Sequence, residues 1–163
     1  MARLHRSVAS LRICGDKLDP DEVSRLLGGV PSLTYRKGDI KQSKIRDVAG
    51  KSGAWMLNAT EREPEDLDAQ VDEILGQLTQ DLTVWASLAE DYSMDLFCGF
   101  FMDQTDEGLE VSVKTLGALS DRGSKLGFCV YAPLKDVEAY DPCPCNCGKK
   151  YGECCAQNDV TNK

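Results

Sequence analysis

The run from Ser7 to Ile13, with Val8, Leu11 and Ile13 among its apolar positions, predicts a first strand that ends at Cys14-Gly15. A short helix is expected next. Asp19 can cap it, Pro20 suits its first position, and Glu22 sits where a capping-box acid belongs. Val23, Leu26 and Leu27 give that helix one apolar face, and Gly28-Gly29 stops it. Val30 to Tyr35 reads as a turn into a short extended piece. The segment 36–52 holds few large apolar residues and reads as a mobile loop. Gly53 to Leu57 returns to a buried strand.

Pro64-Glu65-Asp66 is expected to open a second helix with acids in its first turn, where the helix dipole favours them. Leu67, Val71, Ile74, Leu75 and Leu78 form its buried stripe. Another helical stretch follows, with Leu82, Trp85, Leu88 and Ala89 inward. Met94 to Met102 is strongly apolar and predicts a central strand. The stretch Gly108 to Gly123 echoes the first helix, with Ser112 as its cap. Leu126 to Tyr131 is the last strand, ended by Pro133. Two strand–capped helix–strand units thus flank a helical middle, a pattern that predicts a pseudo-repeat. The elements together predict an α+β fold: a two-layer sandwich with a mixed or antiparallel sheet and helices on one face, plus a small C-terminal zinc knuckle. The expected organisation is an α+β domain over 1–133, a linker over 134–140 and a cysteine-rich motif over 141–158.

Composition narrows the classes. The chain has 163 residues, 42% of them apolar, enough for one real core without disulfides. No apolar run is long enough to span a bilayer. The Arg-rich start, Met1 to Cys14, lacks the apolar stretch of a secretory signal. The formal charge of −8 disfavours general contact with nucleic acid or anionic membranes, but it is unevenly distributed. Arg36, Lys37, Lys41, Lys44, Arg46 and Lys51 face only Asp39 and Asp47 within their segment. That basic loop reads either as a solvated loop or as the one surface feature of the main domain that meets a partner, RNA or an acidic protein, with salt-sensitive binding expected in the second case.

Five of the eight cysteines lie between 143 and 155. Clustered thiols in a chain without a recognisable signal favour metal binding in a reducing compartment, so a cytoplasmic protein is expected. Cys143 and Cys145 are followed, after eight further residues, by Cys154 and Cys155. Two close pairs joined by a short turn can meet around one ion, and Zn²⁺ suits four sulfur ligands in a tetrahedron. Gly148 and Gly152 let the connecting backbone bend. Lys149 and Lys150 offset the negative thiolate set. Too few apolar residues are present for this segment to fold alone, whereas zinc binding is worth roughly 10–16 kcal/mol in such peptides.

The residues Cys143-Pro144-Cys145, Gly148-Lys149-Lys150-Tyr151 and Cys154-Cys155 resemble the SEC-C motif, a zinc module of the preprotein translocase ATPase and of many small bacterial proteins. The resemblance carries the family's four ligands onto Cys143, Cys145, Cys154 and Cys155. It implies recognition of a protein or RNA partner, with Lys149, Lys150 and Tyr151 at the contact, and a zinc site closed to catalysis. Asn146 and Cys147 depart from the family's usual Gly and Ser, so Cys147 is a possible competing ligand. The main domain is also similar to a bacterial domain-of-unknown-function family. The similarity runs through Leu18 to Gly28, Pro31-Ser32, Lys37-Gly38 and Gly53-Ala54-Trp55 to Tyr131. It implies a shared fold, and immunity proteins that neutralise toxins are the alternative function it brings.

Catalytic machinery is not evident. His5 is the only histidine and reads as a surface residue, which leaves metal-hydrolase and Cys–His schemes little to work with. Cys14, Cys98 and Cys129 lie in or beside apolar strands and are expected to pack in the core. Gly50-Lys51-Ser52 lacks the earlier glycine and the leading strand of a phosphate loop, and no nucleotide cofactor is indicated. Asp103, Asp106 and Glu107 read as a solvated acidic turn, and Trp55 and Trp85 as core anchors. The expected function is a non-enzymatic binding or adaptor module. An immunity protein, or an enzyme with an unfamiliar carboxylate site, is the alternative.

Overall fold

The computed structural model describes residues 3–41, 48–104, 106–133, 140, 143 and 148–154. The chain divides into two compact units, Met1–Ala132 and Pro133–Lys163. In the first unit the elements run β1 (Arg6–Gly15), α1 (Pro20–Leu27), β2 (Leu33–Tyr35), β3 (Ile40–Lys41), β4 (Val48–Ala49), β5 (Gly53–Asn58), α2 (Leu67–Gly76), α3 (Leu82–Asp91), β6 (Ser93–Phe101), α4 (Val113–Asp121) and β7 (Lys125–Tyr131). One sheet has the order β2-β5-β1-β6-β7, and β3 pairs with β4 in a separate two-stranded ladder. All pairings in the large sheet are antiparallel except β6 with β7, which is parallel. The sheet is therefore mixed, and the fold is α+β.

Strand geometry divides each strand into two sets of side chains. In β1, Ser7, Ala9, Leu11 and Ile13 are buried, while Arg6, Val8, Ser10 and Arg12 face the other way. Registers carry that division across the sheet, because paired residues share a face. Leu11 lies opposite Leu57 and Leu96, and Ile13 opposite Trp55 and Met94. These residues join Cys98 and Phe100 of β6 in one core with Val23 and Leu27 of α1, Val71 and Ile74 of α2, Trp85 and Leu88 of α3, and Leu119 of α4. All four helices thus cover one face.

Both tryptophans are fully buried. Each also satisfies its indole N–H, Trp55 by donating to Ser24 Oγ at 2.9 Å and Trp85 to the Thr79 carbonyl at 2.9 Å. A buried polar clasp fixes α2 to β1. Ser7 Oγ donates to Gln70 Oε1 at 2.8 Å, and Gln70 Nε2 donates to the carbonyls of Ser7 and Thr60 at 3.1 and 2.9 Å. These buried groups are matched, so their desolvation is offset.

Helix ends follow local chemistry. Asp19 caps α1 by accepting from the Asp21 amide, Pro20 is the first helical residue, and Gly28 ends the helix at φ 73°. Ser112 caps α4 through the Thr115 amide. Glu22, however, does not close a capping box. It accepts a two-pronged bond from Arg25 at 2.6 and 2.9 Å, one turn along the exposed face, where the pair is more easily formed. The start of α2 also differs from expectation. Asp66 is its cap, accepting from the Ala69 amide, so Pro64 and Glu65 precede the helix.

Three further expectations are corrected. Part of the basic segment is ordered as the β3–β4 ladder, which pairs Ile40 with Ala49 and Lys41 with Val48. Backbone bonds close its base: Gly38 N–H donates to the Gly50 carbonyl and Gly50 N–H to the Asp39 carbonyl, each at 2.9 Å. Gly38 takes φ 90°, which glycine adopts without a Cβ clash. A ladder needs backbone partners rather than apolar side chains, so the low hydrophobicity of 36–52 did not reveal it. In α3, Trp85 and Leu88 are buried, but Leu82 and Ala89 are exposed. This helix meets the core along a narrow stripe. The pseudo-repeat is local only, since α4 links the parallel neighbours β6 and β7, whereas β2 after α1 pairs with β5 and not with β1.

Candidate functional site

The second unit carries the cysteine tail. Cys143 is buried at 4% exposure, and its amide donates to the Lys149 carbonyl at 2.9 Å. The chain reverses at Gly148, which sits at φ 77°, a conformation that a side chain would strain. A 3₁₀ turn over Tyr151–Glu153 follows. It is closed by the Glu153 amide on the Lys150 carbonyl and the Cys154 amide on the Tyr151 carbonyl, both at 3.1 Å. Lys149 and Lys150 are exposed, Tyr151 is half-buried, and Lys150 Nζ stands 5.2 Å from the Tyr140 ring centroid. Cys145, Cys147 and Cys155 lie outside the described residues. Among the described residues, no three or more Cys, His, Asp or Glu side chains gather as a metal-binding group.

Of the four expected ligands the described residues supply two, Cys143 and Cys154, on a chain reversal closed by backbone hydrogen bonds, with exposed lysines beside it.

The basic segment is bound to the start of α1. Arg36 donates through Nη2 to Asp19 Oδ1 at 2.7 Å and to Asp21 Oδ2 at 2.8 Å, and its amide donates to Asp39 Oδ2 at 2.7 Å. Its guanidinium is held more firmly protonated, first by the hydrogen bond to Asp21 and next by the charge of Asp19. Lys37 is paired with Asp16. Lys51 is exposed, Lys41 lies in β3, and Lys44 and Arg46 are outside the described residues. Two cations of the segment therefore have acidic partners within the domain.

The open face of the sheet was not foreseen from the apolar pattern. Arg6 lies over the Phe101 ring at 3.6 Å, and Arg12 over the Phe97 ring at 4.3 Å. Arg12 is clamped by Asp95 through two bonds of 2.7 and 2.9 Å, and that hydrogen bonding is the main reason its pKa is raised. Phe101 stacks on Tyr131 with centroids 4.6 Å apart and planes 9° from parallel. Cys129 shares this face, opposite Gly99, and its hydrogen bond with Tyr131 raises the phenol's pKa. Cys14 also lies here, opposite Ala54. Of the three strand cysteines only Cys98 is in the core; Cys14 and Cys129 sit at positions of opposite parity. The signal that could have found this face was period-two spacing: Arg6 and Arg12 are an even number of residues apart in β1, as are Asp95, Phe97 and Phe101 in β6.

Several of the other acids are committed to structural bonds. Glu107 accepts from the amides of His5, Asp103 and Gln104 at 3.1–3.3 Å, so the acidic turn is tied to its own backbone. His5 Nε2 is 3.6 Å from Glu63 Oε1, at the surface. A cavity of about 460 Å³ is lined by Arg3, Glu65, Asp68, Gly108, Leu109 and Glu110. Glu65 pairs with Arg3 at 3.0 Å. Burial pushes the Asp68 carboxyl up, but bonds from Thr115 and Ser112 outweigh it and leave the group below its ordinary value. Glu73 is lowered too, chiefly by bonds from Thr60.

An open-faced α+β domain followed by a cysteine-rich tail is the class of molecule these features define. The chain belongs to the DUF4279 family, whose description is a domain of unknown function; the match covers residues 4–133. It ends before the cysteines of the tail, and no SEC-C motif is detected there. No curated protein and no solved structure matches the chain. Among the described residues, no helix is long and apolar enough to cross a membrane.

Proposed function

We propose that this protein is a non-enzymatic binding module of the cytoplasm, in which a zinc-ordered tail recognises a protein or RNA partner and the DUF4279 domain is its folded support. The observation that carries the reading is the closed reversal from Cys143 to Lys149, followed by the turn that delivers Cys154. Cys143, Cys145, Cys154 and Cys155 would hold the ion. Bound there, zinc supplies cross-linking and no reaction, because four protein ligands leave no open position. Lys149, Lys150 and Tyr151 lie on the connecting segment and would meet the partner.

The ionisation of Asp68 speaks against a general-acid role for this carboxylate. A general acid at neutral pH needs a raised pKa. Asp68, in the acid-lined cavity, is shifted the other way by hydrogen bonds that serve the α2–α4 contact.

The test is zinc content per chain in reduced, metal-replete protein, with a pull-down comparing the native tail against Cys143→Ser plus Cys154→Ser. One zinc per chain and loss of partner from the double variant are expected. Absence of zinc from the native protein would remove the metal reading, and identical partners from both forms would remove the tail's role.

A further inference from the structure

The two edges of the sheet are unequal. Among the described residues the β2 edge is three residues long, whereas β7 is a seven-residue edge strand without proline. Long, unprotected edges are what natural sheets shorten, bend or charge, because their unpaired amides and carbonyls template another strand. This edge is also apolar. Phe128 is 51% exposed, Val130 57% and Tyr131 47%. The one charged side chain, Lys125, stands at its start.

Backbone phase shows what the edge presents. The Tyr131 carbonyl accepts from the Met102 amide, so Tyr131 bonds inward to β6. Peptide groups alternate along a strand, so Lys125, Gly127 and Cys129 also face β6. Leu126, Phe128 and Val130 direct their N–H and C=O groups outward.

We propose that β7 pairs antiparallel with β7 of a second copy of this chain, about a two-fold axis through Phe128, joining two five-stranded sheets into one. The backbone phase and the side-chain identities on both faces fit that register. The outward backbone groups of Leu126, Phe128 and Val130 fall opposite those of Val130, Phe128 and Leu126 of the second copy, so each forms a hydrogen-bonded pair. On the helix-side face every cross-strand pair is then apolar: Leu126 with Val130, and Phe128 with Phe128. On the open face Lys125 meets Tyr131, a cation beside an aromatic ring, and Gly127 meets Cys129. A self-complementary strand is what a two-fold interface requires, since the same patch serves both subunits. Phe128 is supported from within its own subunit by Phe100, with ring centroids 5.3 Å apart, so it is presented rather than mobile.

The full chain is tested by light scattering after size-exclusion chromatography, over micromolar to millimolar concentrations. Twice the 17.9 kDa chain mass is expected. Val130→Pro deletes an outward amide that the β6–β7 ladder does not use, and edge strands accept proline at such positions. It should give the single-chain mass with an unchanged circular dichroism spectrum. Gly127→Cys reads the register directly. A Cβ at Gly127 meets nothing nearer than 3.9 Å. Across the proposed joint, position 127 of one copy and Cys129 of the other form a non-hydrogen-bonded pair with Cα atoms about 4.5 Å apart, within disulfide range. Mild oxidation should link Gly127→Cys chains through a 127–129 peptide found by mass spectrometry and lost in Gly127→Cys plus Cys129→Ser. A single-chain mass for the native protein throughout would overturn the proposal and leave β7 to an extended segment of another protein. A double mass that survives Val130→Pro, with no 127–129 link, would also overturn it by placing the joint elsewhere. If Val130→Pro does not fold, the cross-link decides.

Discussion

The two faces of the central sheet use the same strands for opposite purposes. On the helix side, Leu11, Ile13, Trp55, Leu96 and Phe100 are at or near complete burial, and the Ser7–Gln70 clasp among them is matched. On the open side, Arg6, Arg12, Asp95, Phe97, Phe101 and Tyr131 form stacked and ion-paired contacts that stay partly wet. One face gains its stability from removing apolar area from water. The other holds flat rings and guanidinium groups in place while leaving them accessible. The difference teaches that a buried, stabilising face and an accessible one can be separated by a single residue step along a strand.

Removing a core side chain should have the largest effect. Trp55→Ala empties a fully buried site and strips Ser24 of its indole partner. A loss of about 3–5 kcal/mol in denaturant unfolding is expected. A change under about 1 kcal/mol would mean that the helix-side face is not the stabilising one.

The next effect compares cysteines of the two faces. Burial, with a smaller push from Asp95, raises the Cys98 thiol to about 12. An unfolded chain ionises its cysteines near about pH 8.5. The folded state therefore keeps a proton that the unfolded state gives up. The stability linked to Cys98 is complete below about pH 8.5 and is lost as pH rises from there toward 12, by about 1.4 kcal/mol per unit. Cys98→Ala should flatten the alkaline limb of the stability curve. A native-protein alkylation time course should label Cys129 well before Cys98. Equal labelling rates would contradict the assignment of the two thiols to opposite faces.

The smallest effect belongs to the open side. Arg12 and Asp95 are each about a third exposed, so solvent screens their attraction. A double-mutant cycle with Arg12→Ala and Asp95→Ala should give a coupling of roughly 0.5–1 kcal/mol. A coupling near that of a buried pair, roughly 3–5 kcal/mol, would show that this face is closed from water.

Features written in a few adjacent residues were legible in the amino-acid order alone. Asp19-Pro20 and Ser112 cap helices where their side chains reach amides two or three residues on, and Gly28 ends α1 because it accepts a left-handed backbone. The stripe from Leu67 to Leu75 was readable because burial on one helix face imposes its own period, whereas Leu78 is buried from the turn beyond the helix end. Arrangements that depend on distant partners were less legible. The β3–β4 ladder is held by backbone groups that every residue carries. Glu22 had two suitors, the capping-box amide and Arg25, and only the folded geometry chose the second. Leu82 and Ala89 have the right spacing for α3, yet they remain exposed. For the candidate site, the cysteine spacing and the lysines at 149 and 150 could be read directly. The acidic partners of Arg36 and Lys37 could not, since Asp16, Asp19 and Asp21 lie 15 to 21 residues earlier in the chain.

The amino-acid order by itself determined the α+β class, the limits of α1 and the cap of α4, the apolar strands and the clustering of thiols beyond residue 140, because each is a local property of neighbouring residues. Only the tertiary structure decided that β6 and β7 run parallel, that Cys98 is interior while Cys14 and Cys129 are not, and that Arg6, Arg12 and three aromatic rings share one open surface. Those outcomes are set by which strand lies beside which, and strand order and register arise from contacts between residues tens of positions apart.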